Sequence, residues 1–135
     1  MKVRRALWHG LLAGVAATGI GTTLALLAFF VTAQAQTQCP VIGSASTWGF
    51  PATGYFDVSP GGTCLFSLNV NGEILSATIT QAPSNGRVNM VNVSTYTYTA
   101  NPGFTGTDTF VIQATGKDID GPAGMSVITM NATVR

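Results

Sequence analysis

Beyond residue 60, apolar and polar positions alternate with a period of two along most of the chain. Tyr96 and Tyr98 alternate with Thr97 and Thr99, so both rings fall on one face of a strand and the hydroxyls on the other. Asn101-Pro102-Gly103 breaks this pattern, because Pro fixes φ and lacks an N–H while Gly accepts positive φ; Gly106 is a second permissive point. Phe110, Ile112 and Ala114 then restart the alternation. The unit reads as strand, corner, strand, with Phe104 wedged beneath the corner.

The same period places the other strands. Cys64, Phe66, Leu68 and Val70 share one face, and Asn71-Gly72 reads as a type I′ hairpin turn. The return strand runs from Glu73 to Gln81 with Leu75, Ala77 and Ile79 on one face, which makes these two strands expected neighbours. A turn over residues 82–86 leads to a short strand carrying Val88 and Met90, and residues 91–95 link it to the tyrosine strand. Residues 109–115 form a strand, 116–124 a polar loop, and 125–134 a last strand with Ile128, Met130, Ala132 and Val134 on one face. About seven short strands with no helical period after residue 35 predict an all-β, Ig-like Greek-key sandwich. A small Greek-key barrel or jelly roll is the runner-up.

The segment Pro83-Ser-Asn-Gly86, Tyr96-x-Tyr98, Asn101-Pro-Gly-Phe-Thr-Gly-Thr-Asp-Thr-Phe110, the loop from Lys117 to Gly124 and the closing apolar strand resemble the bacterial Ig-like, cadherin-like repeats of secreted and surface proteins. The resemblance spans roughly Ser76 to Val134, and its most specific part is the Pro-Gly-Phe-x-Gly-x-Asp-x-Phe core. It implies a corner built from Tyr96, Tyr98, Pro102, Gly103, Phe104, Gly106, Asp108 and Phe110. It also implies a non-catalytic structural or adhesive role at the bacterial envelope or surface.

The first 35 of the 135 residues read differently. Lys2, Arg4 and Arg5 precede an uncharged run from Ala6 to Val31, and Ala33-Gln34-Ala35 offers small residues at signal-peptidase spacing. The expectation is a signal peptide over residues 1–35, cleaved after Ala35, and a β-domain over 36–135. An uncleaved leader would instead be a membrane anchor, since the apolar run reaches the ~20 residues a bilayer requires. Export to the periplasm, cell surface or medium follows from either reading. After cleavage three bases, Arg87, Lys117 and Arg135, face five acids, a net charge of −2. Three scattered bases make no stripe for phosphates, which argues against a nucleic-acid partner. Cys39 and Cys64 are the only cysteines, and an even count after a leader predicts a disulfide contributing ~3.5 kcal/mol.

Candidate chemistry is sparse. The sole histidine, His9, lies in the leader, so no His-dependent nucleophile is available to the mature chain, and no catalytic residue is assigned. Asp118-Ile-Asp120-Gly121 starts as an acidic calcium loop does, and Asp108 is a third candidate oxygen donor. That set falls short of the six to eight oxygens calcium takes, and an acid beside a turn more often caps backbone N–H groups. No other cofactor is expected. Asn92-Val-Ser94 and Asn131-Ala-Thr133 match the N-glycosylation pattern, which in a chain of bacterial resemblance reads as coincidence. Trp48, Phe50, Tyr55 and Phe56 lie between Gly and Pro. They favour core filling, with a platform for a glycan ring as the alternative. The expected partner is therefore an envelope or surface protein or a second copy of the chain, and a glycan in the alternative reading.

Overall fold

The computed structural model describes residues 37–43 and 47–135. The leader, its cleavage point and His9 lie outside the described residues. Among the described residues there are nine strands and no helix: β1 (Thr37–Gln38), β2 (Ile42–Gly43), β3 (Ala52–Val58), β4 (Thr63–Ser67), β5 (Glu73–Gln81), β6 (Gly86–Met90), β7 (Thr95–Ala100), β8 (Gly106–Lys117) and β9 (Ala123–Val134). They make two sheets, β1-β4-β7-β6 and β2-β3-β9-β8-β5. This is the all-β, Ig-like sandwich that the alternation predicts.

Each sheet turns one apolar row inward. Cys64 and Phe66 from β4, Val88 from β6, and Tyr96, Tyr98 and Ala100 from β7 meet Phe56 and Val58 from β3, Phe110, Ile112 and Ala114 from β8, and the Ile128 to Val134 row of β9. Phe56 sits at the centre, 4.6 Å from Phe66 and 5.4 Å from Tyr98 between ring centroids, both edge-on. Tyr98 stacks on Phe110 at 5.5 Å. Such aromatic pairs add to the area they bury. Cys39 and Cys64 form the expected disulfide, their Cα atoms 5.3 Å apart, and it ties the start of the domain to the innermost part of β4.

Several expectations are corrected. The strands before and after Asn71-Gly72 are not neighbours: β4 pairs antiparallel with β7, Cys64 opposite Tyr98, whereas β5 pairs with β8 in the other sheet. The Asn-Gly step is a crossover between sheets. Its glycine is held at φ 103° against β8, where a Cβ would collide with the Lys117 carbonyl, and the Leu68 N–H is already bonded to Ser94 O at 2.7 Å. The chain therefore leaves the first sheet at Ser67 and cannot fold straight back.

Within β5 the faces also differ from the simple alternation. A bulge between Ile74 and Ser76 adds one residue, so Ile74, Ala77 and Ile79 pack against the core and Leu75 is 57% exposed. The tyrosine strand and the strand after the corner also belong to opposite sheets, so residues 101–105 bridge the sandwich. Finally, β3 is a strand that the glycine-punctuated aromatic stretch did not reveal. It runs parallel to β9 over seven residue pairs, from Ala52 opposite Ile128 to Val58 opposite Val134.

Candidate functional site

The corner is organised by a buried acid. Asp108, 4% exposed, stands near the start of β8 and faces back under the turn that precedes β6. Its Oδ1 accepts the N–H groups of Ser84 at 2.9 Å and Thr109 at 3.1 Å; its Oδ2 accepts the Asn85 N–H at 3.0 Å and the Tyr98 hydroxyl at 3.0 Å. One carboxylate thus joins β7, β8 and the 82–85 turn, and ionised oxygens make the stronger class of hydrogen bond. Gly103 and Gly106 have φ of 76° and 136°, the left-handed side that glycine takes without a steric penalty. Phe104 packs partly buried against the core, and its ring lies 3.2 Å from where a Cβ on Gly106 would stand. Pro102 is exposed at the tip, and Tyr96, Tyr98 and Phe110 are wholly inside.

Burial pushes the Tyr96 and Tyr98 phenols well above their ordinary range, and for Tyr98 the hydrogen bond to Asp108 and the charge of that carboxylate add to the effect. A phenol whose pKa is raised on folding contributes stability that is complete below the unfolded value of ~10 and is lost as pH rises toward the folded one. Stability should therefore be insensitive to these groups up to pH ~10 and fall above it. Denaturant titrations along an alkaline series, with phenolate absorbance as a second signal, check this: ionisation of Tyr96 and Tyr98 should coincide with unfolding.

The three acids considered for calcium do not converge. Asp108 and Asp118 lie at opposite ends of β8, about 30 Å apart at the rise of an extended strand. Asp118 accepts the Ile119 N–H at 2.7 Å and the Asn71 side-chain amide at 3.3 Å through Oδ1. Asp120 is exposed in the loop beyond. No group of three or more metal-ligating side chains occurs among the described residues.

The aromatic stretch is divided between two roles. Trp48 and Phe56 are core residues, which removes them from the set available to stack on a sugar; Phe50 and Tyr55 are 66% and 55% exposed. Trp48 lies against Gly116 and Gly124, which face each other across β8 and β9. Phe56 points inward and Tyr55 outward because consecutive residues of β3 alternate.

What the molecule offers to solvent is an edge, a face and a groove. β5 ends the five-stranded sheet: one side of its nine residues pairs with β8, and among the described residues no strand pairs with the other side. Leu75, Met125, Val127 and Tyr55 are exposed large apolar residues of that sheet. A groove of about 750 Å³ lies over the four-stranded sheet, where Arg87, Asn89, Thr97 and Thr99 face outward and the Thr63 and Thr99 hydroxyls are 2.9 Å apart. Asp57 on its rim is paired with Arg135 at 2.6 Å. The edge strand carries no charged side chain beyond Glu73, so nothing in its sequence marks it as a site except that low charge.

A family model described as a bacterial Ig domain matches residues 21–133. The match takes in both sheets except Val134, the last residue of β9, and begins within the segment predicted as leader. No curated protein matches the chain.

Proposed function

The chain belongs to the bacterial Ig domain family, and we propose that it acts as a non-catalytic module of the cell envelope or surface, presenting a rigid β surface to a protein partner through the open edge of β5. A disulfide and membership of this family are typical of exported proteins. The observation that carries the proposal is the edge itself. β1 and β2, which end the sheets on the other side, are two residues each, and β6 is five, whereas β5 is nine residues long with one charged side chain, Glu73.

Unpaired strand edges template pairing with another strand, and proteins blunt them with charges, prolines or bulges. Here register shifts between Ile74 and Ser76 and between Ile79 and Gln81 bracket a regular run of four residues. That confines docking to a short strand in a fixed register and disfavours open-ended aggregation. The partner strand comes from an envelope protein or from a second copy of the chain.

The test is crosslinking in intact cells, comparing the wild-type protein with Leu75→Lys and Thr78→Lys. Both positions are exposed, so the variants should unfold within a few degrees of the wild type while losing the crosslinked species. Identical crosslinks in all three proteins would remove β5 as the contact. A protein that emerges unlinked, yet binds a glycan array saturably until Tyr55→Ala is introduced, would replace this reading with the glycan one.

A further inference from the structure

Two Asn-Gly pairs occur in the described residues, Asn71-Gly72 and Asn85-Gly86, and the fold treats them oppositely. Asn-Gly is the dipeptide best suited to intramolecular attack on the asparagine side chain, because no side chain on the second residue hinders the approach of its backbone nitrogen. We infer that Asn71 is a site of spontaneous covalent modification, converting to a mixture of aspartate and isoaspartate in the folded protein, while Asn85 is protected.

The two sites differ in what holds them. Asn71 and Gly72 are both exposed in the crossover between sheets, and among the described residues no turn or loop backbone hydrogen bond engages either. Among the described residues the Asn71 amide has one hydrogen bond, to Asp118 Oδ1 at 3.3 Å. Asn85 is clamped: its N–H goes to Asp108 Oδ2 at 3.0 Å and its carbonyl accepts the Asn101 N–H at 2.9 Å. Gly86, the first residue of β6, already pairs with Ala100 of β7, with the Tyr98 ring so close that a Cβ would lie 2.6 Å from it. The rotation that would bring the Gly86 nitrogen onto the Asn85 side chain requires breaking that clamp.

The fold also fixes the labile partner in place. Gly72 stands at φ 103°, and a Cβ there would run into the Lys117 carbonyl, so the position demands the residue that leaves Asn71 open to attack. The step balances without any oxidant or reductant. The Gly72 nitrogen gives up its proton to water or hydroxide and bonds to the Asn71 side-chain carbonyl carbon. The bond from that carbon to Nδ2 breaks, ammonia leaves with a proton, and a five-membered succinimide remains. Water then opens the ring: attack at the side-chain carbonyl gives aspartate, and attack at the main-chain carbonyl gives isoaspartate, with the backbone rerouted through the former side chain.

The product reverses a contact. A donor amide facing Asp118 becomes a second carboxylate, so the tie between the crossover and the loop after β8 turns repulsive, two residues ahead of the β5 edge. The chemistry itself does not depend on β5 being a docking surface.

The experiment incubates the full chain, native and denatured, at mildly alkaline pH, followed by peptide mapping that separates aspartate from isoaspartate. In the native protein Asn71 should convert at least about tenfold faster than Asn85, since reaction at Asn85 waits on local opening. In denaturant the two rates should converge, and Asn71→Gln should abolish only the faster conversion. Equal rates at the two sites in the native protein, or an Asn71 that reacts only when denatured, would overturn the inference.

Discussion

Asp108→Ala is expected to destabilise the domain by about 4 kcal/mol, since a buried polar group that loses its partner costs about 1–3 kcal/mol and this change strands one buried hydroxyl and three partly buried N–H groups. Those groups are the N–H groups of Ser84, Asn85 and Thr109 and the Tyr98 hydroxyl. Water can reach some of them once the carboxylate is gone, which keeps the total below the sum of four full penalties. Asp108→Asn should fall between, because an amide can keep the acceptor side toward Ser84 and Thr109 and the Tyr98 hydroxyl can turn to accept from it, but its N–H opposes the Asn85 N–H. Tyr98→Phe deletes a single bond and should cost about 1–2 kcal/mol. Urea unfolding of the three variants gives the order directly. A value within ~1 kcal/mol of wild type for Asp108→Ala, the range of an ordinary surface change, would mean that the acid does not hold the corner together.

The corner was legible because its constraints are local. Pro102 and Gly103 dictate a reversal wherever they stand, and Phe110, Ile112 and Ala114 keep one face inward through a long, uninterrupted strand. That Asp108 caps backbone groups was also readable. Which groups was not, because Ser84 and Asn85 lie 24 and 23 residues upstream and meet it only when β6 and β8 sit in opposite sheets.

The same limit explains the two largest departures. Asn71-Gly72 is a strong hairpin signal, but a glycine at positive φ serves a crossover equally well; what decides between them is that β7 occupies the place beside β4. In β3 the inward row is Ala52, Gly54, Phe56 and Val58, a real alternation that small residues and the outward Tyr55 obscure. Its parallel partners in β9 lie 76 residues further along the chain, Ala52 opposite Ile128, beyond anything a local pattern can specify. The aromatic stretch divided for a related reason: Phe56 and Tyr55 are adjacent in sequence and opposite in facing, whereas Trp48 owes its burial to two glycines on other strands.

Those glycines make Trp48→Ala the other large loss expected, about 4–5 kcal/mol, the upper part of the range for deleting a buried aromatic ring. The cost of such a deletion depends on how far the surroundings collapse into the space left. Around Trp48 they have little to collapse with. Gly116 and Gly124 form a cross-strand pair, and a Cβ on Gly116 would strike the indole and the Glu73 carbonyl, while one on Gly124 would lie 2.9 Å from the Trp48 Cβ. Removing the ring therefore opens a cavity whose floor is main chain held by the β8–β9 ladder. Among the described residues the indole Nε1 is buried without a hydrogen-bond partner, so the loss comes from packing and no polar partner is orphaned. Gly116→Ala should be severe in the native background and partly relieved beside Trp48→Ala, because loss of the ring removes the clash with the indole and leaves the one with the Glu73 carbonyl. A double-mutant cycle measured by denaturant unfolding reads this coupling, which should exceed about 1 kcal/mol in favour of the double variant. Strict additivity would show that the glycine pair and the tryptophan are not one packing unit. In that case the burial of Trp48 would have to be explained from its own loop.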